Sequence, residues 1–156
     1  MEGQPVFTNI LVALDGSEIS QLALIQAVDQ ARTGNAKIQA IYIAETPQFN
    51  SLPMDQTIGM ENTFEMNRVI EKEEELEGAE VLEKAKKYCA DKGITIITHM
   101  KYGDAGSEII SLAEQEKCDL IVIGSHGKSR IDRLLSGSVS SFVVTHSKVT
   151  TMVVRS

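Results

Sequence analysis

The residues best suited to chemistry in this 156-residue chain crowd into one stretch, from Gly124 to Ser140. Gly124 and Gly127 stand three apart, nine residues separate Gly127 from Gly137, and Ser138, Val139 and Ser140 follow. Glycine admits positive φ and lets a ligand approach the main chain, and bare amides at a helix start attract an anion. Hydroxyls at Ser138 and Ser140 add donors, while Lys128, Arg130 and Arg133 bring positive charge to a chain that is acidic as a whole. A phosphate chain suits that combination. Ordinary turns use the same glycines and serines, so these residues taken alone leave both readings open. Two shorter places join this one. Asp15-Gly16-Ser17 closes an apolar run in which Ala13 and Asp15 share a face by strand alternation, and a third exit follows Ile43. Asp15 either touches a ligand or merely stops a strand and caps the next helix.

Regular elements must bring these places together. Asn9 to Asp15 is a short apolar run of the kind buried on both faces of a sheet. From Ser17, a natural N-cap, Ile19, Leu22, Ala23, Val28 and Ala31 recur at helical spacing until Gly34 terminates them. Ile38 to Ala44 is a second strand, and Glu45 to Met60, with Pro47 and Pro53, is a long loop, either functional or a tolerated insertion. Glu61 to Lys92 is a helix whose apolar face runs through Met66, Val69, Ile70, Leu76, Leu82, Ala85, Tyr88 and Cys89. Pairs Glu80–Lys84 and Glu83–Lys87 support it outside, and the acidic run Glu71 to Glu75 reads as a solvated face or an interaction surface. Ile94 to Met100 is a third strand, Asp104 caps a third helix bearing Ile109, Ile110, Leu112 and Ala113, and Asp119 to Gly124 is a fourth strand. A helix from Gly137 to His146, with Val139, Phe142, Val143 and His146 at helical spacing, and a strand from Val149 to Val154 finish the chain. Strict alternation of five strands and four helices predicts a doubly wound α/β fold, a parallel sheet with helices on both faces. Such sheets bind ligands outside the carboxyl ends of their strands.

Composition excludes several classes of function. With 15 basic against 22 acidic side chains, the net charge of −7 repels a polyanion, so no nucleic-acid partner is expected. The length suits one domain, taken as 1–156. Cys89 and Cys118 fall inside regular elements and read as reduced core thiols, which points to a cytoplasmic protein. Met1 to Pro5 lacks the look of a secretory signal, and no apolar run approaches the roughly 20 residues that span a bilayer, so no membrane association is expected. His99, His126 and His146 have no zinc-like spacing, so no metal cage of protein ligands is expected. Gly-x-Ser-x-Gly, Gly-x-x-x-x-Gly-Lys-Ser/Thr and a Gly-x-Gly-x-x-Gly after the first strand are all absent. No residue is assigned a catalytic role, and any nucleotide turnover should be slow.

The spacing Gly-x-x-Gly, nine residues, then Gly-Ser after the fourth strand resembles the nucleotide motif of the universal stress protein family, in its ATP-binding branch. Val12-Ala13-Leu14-Asp15-Gly16-Ser17 and the hydrophobic last strand extend the resemblance from Ile10 to Arg155. It implies an adenine nucleotide alpha hydrolase-like fold with strand order 3-2-1-4-5. It further implies that Ala13 and Asp15 line the adenosine end, Ile43 lies against adenine, and Ile123, Gly124, His126 and Gly127 border the ribose and phosphates. Gly137, Ser138, Val139 and Ser140 would then hold the phosphate chain. ATP with Mg2+ or Mn2+ bound through the phosphates is the implied cofactor, and a homodimer through the C-terminal strand the implied assembly. Many relatives place a proline before that strand where this chain reads Ser147-Lys148-Val149-Thr150-Thr151, a departure that bears on dimer geometry. The expected function is a nucleotide-dependent regulatory module in stress response with a protein partner still to be found. A true ATP hydrolase and a nucleotide-free interaction domain are the alternatives.

Overall fold

A computed structural model of the chain describes residues 3, 6–44, 60–127 and 137–156. Of the loop read at Glu45 to Met60, residues 45–59 lie outside the described residues, as do the cations Lys128, Arg130 and Arg133, while Met60 already begins a helix. In chain order the elements are β1 (Asn9–Ala13), α1 (Glu18–Gly34), β2 (Lys37–Ala44), α2 (Met60–Asp91) and β3 (Ile96–Tyr102). They continue with α3 (Ala105–Gln115), β4 (Leu120–Gly124), α4 (Ser138–His146) and β5 (Thr150–Val154). The strands form one sheet in the order β3-β2-β1-β4-β5, and every pairing is parallel. Strand order therefore reverses between β1 and β4, which pair from Ile10↔Leu120 to Val12↔Val122.

Alternation along the strands assigns the side chains to two cores. Ile10, Val12, Ile38, Ala40, Tyr42, Leu120 and Val122 face one side, where Ala23, Ala27, Val28 and Ala31 of α1 and Leu82, Ala85 and Cys89 of α2 cover them. Leu11, Ile41, Ile121 and Ile123 face the other, beneath Ile109, Leu112 and Ala113 of α3 and Val143 of α4. Burial of β1 and β4 on both faces explains why they read as continuous apolar runs rather than alternating ones.

Polar residues in the second core are latched together at the amino ends of the strands. Asn9 Nδ2 donates to the Glu116 carbonyl at 2.6 Å, Gln39 Nε2 donates to Asn9 Oδ1 at 3.3 Å, and Gln39 Oε1 meets His99 Nε2 at 2.7 Å. Asp119 accepts from the amides of Thr8 and Asn9. Among the described residues no buried side-chain polar atom is left without a partner.

Several boundaries differ from the sequence reading for identifiable reasons. Asn35, not Gly34, takes the left-handed position that ends α1, with φ 52° and its N–H donated to the Ala31 carbonyl. Gly34 is instead a point of close approach, since a Cβ there would stand 2.6 Å from the Phe7 carbonyl oxygen. The apolar face expected along α2 is not continuous. Leu82, Ala85 and Cys89 are buried, but Met66, Val69, Ile70 and Leu76 are exposed. A 32-residue helix is about 48 Å long, while the eight-residue β2 spans only about 26 Å, so α2 outruns the sheet it packs on. Lys84 pairs with Glu80 at 2.9 Å as expected, whereas Glu83 pairs with Lys86 at 3.7 Å instead of Lys87. Both pairs are exposed and add little.

Candidate functional site

The chain leaves β1 at Ala13 and turns at Gly16, whose φ of +84° suits glycine. Ser17 is the N-cap of α1, its hydroxyl accepting from the Ser20 amide at 3.2 Å. Asp15 is not the cap. Its Oδ1 accepts from the Ser17 amide at 2.9 Å and from the Ser17 hydroxyl, which orients the cap. Its Oδ2 points the other way, toward the exit of β4, where a Cβ on Gly127 would lie 3.1 Å from it. One carboxylate thus serves the turn with one oxygen and borders the β1/β4 crevice with the other.

Three glycines shape the opposite wall. Gly124 ends β4 where a side chain would be crowded, a Cβ there lying 3.0 Å from the Ile19 side chain. The next amide, Ser125, donates to the Val154 carbonyl at 2.8 Å and so ties this exit to β5. Gly137 begins α4 in the left-handed region at φ +93°, and a Cβ on it would stand 2.8 Å from the Ser125 carbonyl oxygen. Both conditions demand glycine, and together they seat the start of α4 directly on the exit of β4.

The first intrahelical bond of α4 runs from the Ser141 amide to the Gly137 carbonyl at 2.7 Å, and among the described residues no side chain caps the helix. Helix geometry leaves the amides of Ser138, Val139 and Ser140 without an intrahelical acceptor, aligned with the positive end of the helix dipole. Ser138 is exposed beside them. Ser140 is buried, and its hydroxyl donates to the Gly137 carbonyl at 3.0 Å, with the Ser125 carbonyl at 3.4 Å. Its side chain braces the turn. His126 is half-buried, with Nδ1 3.3 Å from the Ser125 hydroxyl.

The floor is apolar. Ala13 and Ile43, half-buried near the carboxyl ends of β1 and β2, pack in the second core with buried Ile123 near the carboxyl end of β4 and half-buried Val139 in the first turn of α4. The three separate sequence neighbourhoods around Ala13, Ile43 and Gly124 to Gly127 thus converge with the start of α4 at one edge of the sheet. An apolar floor, one outward carboxylate oxygen and a row of amides can accept a flat ring at one end and an anion at the other. Among the described residues no three His, Cys, Asp or Glu side chains are grouped to hold a metal ion.

Sequence reasoning missed the flank supplied by α2. Tyr42, on the first-core side of β2, donates its hydroxyl to Glu74 Oε2 at 3.0 Å; burial, then Glu74, raises its pKa far above the usual phenol value. Tyr102 donates likewise to Glu75, which raises its pKa too. Gly78 lies against Tyr42 and Met100, with space for a Cβ lacking by a wide margin, 2.5 Å to the Tyr42 ring. Val81 comes within 3.3 Å of a Cβ placed on Gly16, so α2 reaches the β1 turn itself. A glycine inside a long helix and a tyrosine in an aliphatic strand were the available signals.

A doubly wound parallel sheet with its glycine-built exits meeting where strand order reverses defines the class of α/β proteins that take ligands at a topological switch point. Within that class the chain belongs to the universal stress protein family, whose model matches residues 7–155. It is 34% identical over 153 residues to Universal stress protein MJ0531 of Methanocaldococcus jannaschii, covering 98% of this chain and 85% of that protein. The universal stress protein UspA from Lactobacillus plantarum superposes with a TM-score of 0.82 at 25% identity, covering 97% of this chain and all of that one. Two more distant structures share the fold with a nucleotide bound. One is a universal stress protein in complex with cAMP, at a TM-score of 0.69 and 24% identity over 96% of this chain and 98% of that one. The other, from Archaeoglobus fulgidus in complex with dAMP, has a TM-score of 0.65 and 18% identity over 96% of this chain and 99% of that one.

Proposed function

We propose that this chain is an adenine-nucleotide-binding regulatory module that takes ATP in the β1/β4 crevice. The observation that carries the reading is the seat of Gly137 on the Ser125 carbonyl, which starts α4 at the carboxyl edge of the sheet with three amides that have no intrahelical acceptor. The nucleotide complexes of relatives with this fold support an adenine ligand. In this reading Ala13 and Ile43 flank the adenine and Asp15 accepts from the nucleoside through Oδ2. Ile123, Gly124, His126 and Gly127 border the ribose and first phosphate, and the amides of Ser138, Val139 and Ser140 receive the phosphate chain. Mg2+ or Mn2+ would be held by the phosphates, supplying charge neutralisation. No residue of the site is assigned as a base or a nucleophile, so turnover is slow and binding is the function. The chain acts as a single domain in the cytoplasm, as a homodimer joined through β5, and signals to a protein partner in stress response.

Calorimetry with Mg–ATP tests this. The wild-type chain binds, and the Gly137→Val, Ser138→Val double variant loses at least tenfold in affinity, equivalent to about 1.4 kcal/mol. An Asp15→Asn variant, which keeps the turn, weakens binding of adenosine as well as of ATP. Equal affinities in all three proteins would refute the assignment. Phosphate release by the wild-type chain at typical enzyme rates, about 1–10³ per second, would make it a hydrolase instead.

A further inference from the structure

The two halves of α2 use their apolar residues differently. From Gly78 onward they point inward, and the outer face carries the pairs Glu80–Lys84 and Glu83–Lys86. In the amino-terminal half, Met66, Val69 and Leu76 are exposed by 67%, 56% and 63%, and Ile70 is exposed beside them. At 100° per residue Met66, Val69, Glu73 and Leu76 fall within about 80° of one another, on the side turned away from Gly78 and Leu82. Their spacing of three, four and three is that of a coiled-coil seam. This half is also anchored: Tyr42 and Tyr102 hold Glu74 and Glu75 on the sheet side, which fixes the direction of the stripe. The helix thus presents an apolar seam to water.

Charge selects the occupant. Residues 64–77 contain six glutamates against Arg68 and Lys72, and Glu65 and Glu73 lie on or beside the seam. A second copy would oppose like charges across such a seam, whereas lysines or arginines flanking a partner's apolar stripe would complement it. We propose that the outward face of this half of α2 docks a basic amphipathic helix of a partner protein, in the helix-on-helix mode. The surface lies on the first-core side of the sheet and is independent of the nucleotide reading.

The probe is a synthetic 18-residue peptide of leucine and lysine with leucines at helical spacing. Controls are the same composition scrambled and a version with glutamate for lysine. Amide shifts in ¹⁵N spectra should concentrate between Glu65 and Glu77. Affinity should fall at least tenfold in a Val69→Ser, Leu76→Ser variant and in a Glu65→Lys, Glu73→Lys variant, and should weaken with salt. All four positions are solvent-facing, and circular dichroism of each variant verifies that the helix is intact; Met66→Ser repeats the test at a third seam position. The proposal is overturned if the scrambled or glutamate peptide binds equally well, if the variants retain affinity, or if the shifts map elsewhere. It is equally overturned if the wild-type chain sediments as a larger species than the Val69→Ser, Leu76→Ser variant, because a second copy would then occupy the seam.

Discussion

Gly137 and Asp15 serve the site through geometry rather than reactivity. A side chain on Gly137 must adopt a left-handed backbone and displace the Ser125 carbonyl, so Gly137→Ala should cost about 1–2 kcal/mol in urea unfolding as well as weakening nucleotide binding. The spacing of glycines marked this position from sequence. What remained hidden was the use of each side chain: Ser140 braces the turn instead of offering its hydroxyl, and Asp15 divides its oxygens between Ser17 and the crevice. Those assignments depend on which way a side chain points, and spacing carries no such information. The cysteines follow the expectation of core thiols. Both are free and buried, and burial pushes each thiol up to about 11, with Glu116 and Asp119 adding to the effect at Cys118. Ellman's reagent at pH 8 should therefore label neither in the native protein and both in urea; rapid native labelling would contradict their burial. His99 titrates in the opposite sense. Burial chiefly lowers its pKa, and Lys101 adds to this while Glu116 opposes it. As pH falls through about 6.5 the unfolded chain takes this proton first, so stability declines below that pH, and a His99→Gln variant should lose part of that slope in urea titrations from pH 7 to 5.

Among the elements, the central strands were legible because burial on both faces leaves unbroken apolar runs such as Ile10 to Val12 and Leu120 to Ile123, whereas β3, expected at Ile94 to Met100, runs Ile96–Tyr102 with only partial burial. Capping chemistry located Ser17 and Asp104, whose side chains accept from the Ser20 and Ser107 amides. Asp104→Ala should cost α3 about 1 kcal/mol. Helix α2 was read least well. Apolar residues along 66–76 have helical spacing, but they point away from the sheet, and nothing local distinguishes an inward stripe from an outward one on a helix longer than its support. Gly78 is the pivot between the halves. Gly78→Ala would drive a methyl into Tyr42 and Met100, and about 1–3 kcal/mol of destabilisation is expected, measured by thermal or urea unfolding. A neutral result would mean that α2 rests less closely on β2 than described.

At the scale of the whole molecule, the fold follows from alternation of strands and helices, while the strand order came from family resemblance and is observed as β3-β2-β1-β4-β5. That order puts the reversal between β1 and β4 and so dictates where separate loops can meet. It also leaves β5 as a sheet edge, the surface assigned to the proposed dimer. Sedimentation should then give twice the 17.1 kDa chain mass, a monomer at micromolar concentration being the contrary result. Among the described residues no helix is long and apolar enough to cross a membrane. The central claim is that main-chain donors at the start of α4 receive the phosphates of an adenine nucleotide. Titrating ¹⁵N-labelled protein with Mg–ATP tests it at the atoms concerned: the amide resonances of Gly127, Ser138, Val139 and Ser140 should move most and saturate together. Amides that stay in place at millimolar ATP, or a response centred elsewhere on the sheet, would contradict it.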